Sequence, residues 1–133
     1  MKDLRIGVDI VEIGRIEHAL RRHGERFIER VFTPAEAAYC RTKKSAGSWA
    51  ARFAAKEALG KALRVRDRVP DWTDVEVVMD ARGRPTLRLS GLAAELARGA
   101  RMEVSLSHTH RYAVAMVALI RSEERRVGKE CRL

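Results

Sequence analysis

Apolar positions along this chain follow two periods. Leu4-Arg5-Ile6-Gly7-Val8-Asp9-Ile10 is a short apolar segment with β-branched residues and predicts a strand. Asp9 stands three residues before Glu12, the spacing of a capping box, which predicts a helix over about Val11–Arg22. Ile13, Ile16 and Leu20 give that helix its apolar stripe, and Gly24 ends it. Glu25 to Val31 reads as one or two further turns. Thr33-Pro34-Ala35-Glu36 supplies a cap, a proline at the first helical position and a glutamate at the third, starting a helix to about Arg41. An Ala-rich helix is predicted from about Ser48 to Leu63. Val75–Met79 and Thr86–Leu89 then read as strands around the turn Asp80–Pro85. A helix over about Gly91–Arg98 and strands over Met102–Ser107 and Tyr112–Ile120 follow, the last an apolar run suited to burial on both faces.

The order, with helices grouped rather than alternating with strands, favours an α+β fold, a small antiparallel sheet packed with a long central helix. The chain has 133 residues, 46% hydrophobic, which suits one domain. That domain is assigned to residues 1–120. Arg121 to Leu133, charged and beyond the last apolar run, is expected to be a disordered or non-native appendage. No run of about 18 apolar residues predicts a membrane span, and no secretory signal pattern is seen. The two cysteines, Cys40 and Cys131, form no metal or disulfide framework, so a reducing cytoplasm is expected. Lys and Arg number 27 against 18 Asp and Glu, a formal charge of +9, which calls for an acidic partner.

Three places carry candidate chemistry. On the Ala-rich helix, Arg52 and Lys56 lie one turn apart, as do Glu57 and Lys61, giving one carboxylate and three cations on faces expected to be exposed. An ordinary solvated ion pair explains the same spacing. Asp9, at the expected strand end, is either a helix cap or a functional carboxylate, and the two readings are compatible. Ser105-Leu106-Ser107-His108-Thr109-His110 offers polar groups to a phosphorylated ligand, or a plain polar turn. No third ligand stands near His108 and His110 in the sequence, which argues against a shared zinc. No glycine-rich phosphate loop occurs, so an anionic ligand would be held by side-chain cations and metal. A basic nucleic-acid-binding domain is the competing reading of the +9 charge, but aromatics are only 5%, too few for a stacking platform.

Three blocks resemble the holo-(acyl-carrier-protein) synthases, single-domain 4′-phosphopantetheinyl transferases. They are Gly7-Val8-Asp9-Ile10-Val11-Glu12-Ile13 with Arg15-Ile16, Arg52-Phe53-Ala54-Ala55-Lys56-Glu57-Ala58 with Lys61-Ala62, and Val104-Ser105-Leu106-Ser107-His108 with Tyr112-Ala113. Gly83-Arg84-Pro85 also fits. The resemblance implies transfer of phosphopantetheine from coenzyme A to a serine of acyl carrier protein in fatty-acid biosynthesis, leaving adenosine 3′,5′-bisphosphate. It implies Mg²⁺ held by Asp9 and Glu57, with Lys61 stabilising charge on the bridging oxygen. Glu57, directly or through a water, would accept the serine proton. Arg52, Lys56 and His108 become coenzyme A contacts, Lys43 or Lys44 candidates for its 3′-phosphate, and Pro85 a neighbour of the adenine. Arg15 and Arg22, with Arg26 beyond them, would face the acidic carrier. The family's homotrimeric assembly would share each site between subunits.

Overall fold

The computed structural model describes residues 2–122. Strand β1 (Lys2–Glu12) leads into helices α1 (Ile13–His23), α2 (Glu25–Val31), α3 (Pro34–Arg41) and α4 (Gly47–Leu63). A short 3-10 turn at Trp72–Asp74 precedes β2 (Val75–Met79) and β3 (Pro85–Leu89), then α5 (Gly91–Leu96), β4 (Arg101–His108) and β5 (Tyr112–Ser122). The strands form an antiparallel sheet in the order β1-β5-β4 and a separate β2-β3 hairpin. This is the expected α+β architecture, with α4 as the central helix.

The sheet register assigns its faces. Gly7, Asp9 and Val11 of β1 pair with Val117, Ala115 and Ala113 of β5, and all share the face toward α4. Ala54, Ala58 and Ala62 of α4 are fully buried beneath it, with Leu59 nearly so. Small side chains allow close approach, and Gly7 takes this to its limit. A Cβ on Gly7 would lie 1.9 Å from the Ala58 carbonyl oxygen and 2.7 Å from the Ala62 nitrogen.

Several boundaries differ from the sequence expectation. Asp9 does not cap α1. The strand continues through it to Glu12, and that N-cap position makes no side-chain capping bond. Pairing with β5 over eleven residues outweighs one local cap. Strand β5 is not buried on both faces, since Tyr112 and Met116 are 44% and 47% exposed. It also runs past the expected domain end. Arg121 and Ser122 pair with Asp3 and Lys2, and the Arg121 guanidinium donates to the Leu96 and Arg98 carbonyls at the end of α5. The rest of the expected appendage, 123–133, lies outside the described residues.

The capping box at Thr33 forms as expected. The Thr33 N–H donates to Glu36 Oε1 at 2.9 Å, and the Glu36 N–H donates to Thr33 Oγ1 at 3.2 Å. Thr33 Oγ1 also donates to the Glu76 carboxylate, tying α3 to β2. Thr33→Ala is expected to cost about 1–2 kcal/mol, the upper range for a lost cap. Urea unfolding should show a lower midpoint at unchanged slope.

Candidate active site: two carboxylates and a lysine between β1 and α4

Gly7 presses β1 against Ala58 and Ala62 of α4, and the next residue on that strand face lies beside the same stretch of helix. That residue is Asp9. Its Oδ1 accepts from Lys61 Nζ at 3.1 Å, and the same ammonium donates to the Val8 carbonyl at 3.0 Å. Lys61 remains half exposed while the Asp9 side chain is mostly covered. Glu57 lies one turn before Lys61 on α4. Its carboxyl is pushed above the usual carboxylate range, first by burial and then by the negative charge of Asp9, with Lys61 opposing both. Asp9 and Glu57, nearly fifty positions apart in sequence, therefore share one local electrostatic field.

Two carboxylates with one half-exposed lysine leave negative charge incompletely compensated. Their oxygens are hard donors and few in number, which suits Mg²⁺ completing its shell from solvent and a phosphorylated substrate. Glu57 and Lys61 also line a groove of about 450 Å³. Its walls are largely apolar: Leu59 and Leu63 of α4, and Val65, Val69, Pro70 and Trp72 of the segment that follows.

The other sequence candidates lie elsewhere. Arg52 and Lys56 were expected on exposed faces; both are buried, at 4% and 5% exposure. The Arg52 guanidinium lies over the Tyr39 ring at 4.3 Å and donates through Nη1 to the Ser48 carbonyl at 3.2 Å. Its buried Nε has no hydrogen-bond partner among the described residues. Arg52 is thus a cation whose charge no carboxylate pairs there. The Lys56 ammonium points inward, to Glu36 Oε1 and the Val31 carbonyl at 2.7 Å each and the Trp72 carbonyl at 3.0 Å. Burial pushes Lys56 below the ordinary lysine range and Glu36 draws it back. Helical spacing identified one face for Arg52 and Lys56 but could not reveal that α3 and the Trp72 turn cover it.

His108, at the end of β4, packs over the start of α4, where its ring lies 3.2 Å from the position of a Cβ on Gly47. With Ser45, Ala46, Thr109 and Ile13 it lines a cavity of about 500 Å³. Lys44 borders a neighbouring hollow with Lys43, Arg21 and Trp49. Pro85 opens β3 against Met102, Glu103 and Val104 of β4. Gly47 and Glu57 are ten residues apart on α4, roughly 15 Å. One protomer therefore carries the His108–Lys44 group and the carboxylates well apart along one helix.

Sequence reasoning missed three features. Glu36 shows in the sequence as a capping residue, and nothing local signals its second role as the partner of Lys56. The Val65–Trp72 groove wall carries no periodic pattern. The third is the outer face of the sheet. Leu4, Ile6, Val8 and Ile10, which alternate with the buried positions of β1, are 53–65% exposed. By pattern alone Leu4, Ile6, Val8 and Ile10 form the apolar set of β1 against Arg5, Gly7 and Asp9, and only the tertiary structure shows that this apolar set is the uncovered one.

The fold and this site define a member of a transferase family. The model of the 4′-phosphopantetheinyl transferase superfamily matches residues 5–117, and the chain belongs to that family. Within it, the chain is 47% identical over 121 residues to a holo-(acyl-carrier-protein) synthase of Koribacter versatilis, covering 87% of this chain and 97% of the relative. A holo-(acyl-carrier-protein) synthase of Moorella thermoacetica is 48% identical over 123 residues, 90% of this chain and 94% of the relative. The structure is also similar to the coenzyme A complex of the synthase from Chronobacterium ammoniagenes. That match has a TM-score of 0.79 and 32% identity, covering 90% of this chain and 98% of the other. The Bacillus anthracis synthase in complex with coenzyme A (3′,5′-ADP) superposes with a TM-score of 0.74 at 35% identity, covering 89% and 96%. The nucleic-acid-binding reading finds no support in these relatives.

Proposed function

We propose that this protein transfers the 4′-phosphopantetheine arm of coenzyme A to a serine of apo-acyl carrier protein, releasing adenosine 3′,5′-bisphosphate. The observation that carries this reading is the junction of Asp9, Glu57 and Lys61 at the mouth of an apolar groove. Asp9 and Glu57 would hold Mg²⁺, which when bound supplies charge neutralisation on the pyrophosphate. The groove offers the neutral pantetheine arm an apolar wall, with its phosphate end toward Lys61. In-line attack by the serine oxygen on the phosphorus nearer the arm forms the new P–O bond and breaks the bond to the departing bisphosphate. The serine proton passes to Glu57. Lys61, already oriented by Asp9 and the Val8 carbonyl, offsets charge building on the leaving oxygen.

Arg52, with its unpaired charge, and His108 and Lys44 would meet the phosphates, and Pro85 the adenine side. The exposed Arg15 and Arg22 of α1, with Arg26 on α2, suit the acidic carrier, acting on association rate more than on affinity. The armed carrier is what fatty-acid biosynthesis consumes. A cytoplasmic location agrees with the buried free thiol of Cys40. The direct test is mass spectrometry of an apo carrier after incubation with the protein, coenzyme A and magnesium. The serine should gain the phosphopantetheine mass, and EDTA should prevent it. An unmodified carrier in the presence of folded protein and magnesium overturns the reading.

A homotrimer is part of the same proposal. On the outer sheet face Leu4, Ile6, Val8 and Ile10 align with Ile120, Ala118, Met116 and Val114 of β5. The β4 residues facing the same way are polar: Arg101, Glu103, Ser105 and Ser107. A contiguous apolar stripe of this kind marks an interaction surface. Burying it against neighbouring copies would also allow the His108–Lys44 group of one protomer to face the carboxylates of the next. Light scattering should give three times the chain mass. Ile6→Glu, placing a charge in the stripe, should give monomers with little transfer activity. A wild-type monomer with full activity would refute the shared site.

A further inference from the structure

Lys56 borders the groove, yet its side chain is almost wholly buried and its ammonium is the meeting point of four elements. From α4 it donates to the end of α2 at Val31, to Glu36 on α3 and to the Trp72 carbonyl in the turn before β2. All three N–H bonds are thereby used, and the Lys56 and Glu36 side chains are 1% and 0% exposed. The second oxygen of Glu36 accepts the Val77 N–H at 2.8 Å, extending the network into β2. A buried ion pair is a poor way to gain stability, because well-packed apolar side chains of similar volume often serve as well. Its distinctive effect is to demand one arrangement of the partners around it.

The arrangement demanded here includes a wall of the site. Helix α4 ends where Arg64 adopts a left-handed conformation, φ 56°. The chain then crosses back over the groove through Val65, Val69, Pro70 and Asp71 to Trp72. None of 64–71 is helix or strand. At Trp72 the crossing segment is secured twice. Its ring stacks on Phe53 of α4 at 5.0 Å and 23°, and its carbonyl is held by Lys56. The residue next to Lys56 is Glu57.

We propose that Lys56 is a positioning residue: with Glu36 it anchors the Val69–Trp72 wall across from Glu57 and so sets the shape of the groove that receives the coenzyme A arm. The assignment rests on the proposed function. Lys56 therefore acts on donor binding through the wall, while Asp9, Glu57 and Lys61 are placed independently by the packing of β1 on α4.

Lys56→Met keeps the aliphatic stem and removes the ammonium. Calorimetric titration with coenzyme A in magnesium buffer should show Kd raised about tenfold, with KM for coenzyme A rising alike. The kcat at saturating coenzyme A and the KM for the carrier should stay within about twofold of wild type. A purely structural role would instead lower the active fraction, reducing kcat at unchanged KM for coenzyme A. Pro70→Gly loosens the same wall from outside the core and should show the same selective rise, so it decides the matter if Lys56→Met does not fold. A folded variant that binds coenzyme A as tightly as wild type overturns the assignment, as does an equal loss in kcat and in carrier KM. Wild-type protein that fails to bind coenzyme A at all would instead overturn the proposed function.

Discussion

Asp9→Asn is expected to reduce phosphopantetheine transfer by roughly 10³-fold while leaving the protein folded. Losing one of the two proposed metal ligands would remove several kcal/mol of charge stabilisation, and each 1.36 kcal/mol is tenfold in rate. The asparagine oxygen can still accept from Lys61, so the local packing survives. The exposed part of the Asp9–Lys61 pair contributes little to stability. Glu57 supplies a further check. Its carboxyl pKa lies above the ordinary value partly because Asp9 is negative, so neutralising Asp9 should lower it. A raised carboxyl pKa means that the folded state binds the proton more tightly than the unfolded chain. The stability linked to Glu57 is complete below its ordinary pKa and is lost as pH rises through the folded pKa. Asp9→Asn narrows that window and should leave the protein no less stable at pH 7. Carbon NMR titration of the Glu57 carboxyl, thermal unfolding and the carrier mass assay together test the prediction. Wild-type transfer by Asp9→Asn would remove Asp9 from the metal site.

The second large effect is on the fold. Gly7→Ala should abolish folded protein, or destabilise it by about 4 kcal/mol or more. The added carbon would fall 1.9 Å from the Ala58 carbonyl oxygen and 2.7 Å from the Ala62 nitrogen. Both are backbone atoms of α4, so no side-chain rotation relieves the overlap. Only separation of β1 from α4 would, and that separation opens the core and draws Asp9 away from Glu57 and Lys61. Gly14→Ala is the natural control, since a Cβ there meets nothing within 4 Å. Soluble yield, circular dichroism and thermal unfolding distinguish the two. A Gly7→Ala protein as stable as wild type would mean that β1 does not lie this close to α4.

Local pattern was enough for much of this protein. The Thr33-Pro34-Ala35-Glu36 box starts α3 because both its hydrogen bonds are made within four residues. The Ala-rich stretch forms α4, and the apolar run from Tyr112 forms β5, because spacing and propensity act over one or two turns. Three sequence blocks also pointed to the chemistry, and the site at Asp9, Glu57 and Lys61 is where two of them meet. Asp9 failed as a local prediction for an instructive reason. A helix cap competes with strand pairing, and the pairing partner, Ala115, is more than a hundred residues away.

By itself, then, the order of residues determined most element types, the α+β class, and Asp9, Glu57 and Lys61 as the candidates for the chemistry. Tertiary structure alone decided that Lys56 turns inward to Glu36, that Arg52 lies buried over Tyr39, and that the Leu4–Ile10 stripe faces outward. Backbone periodicity is set by near neighbours, whereas the partner of a buried charge and the covering of a sheet face depend on segments brought together by folding.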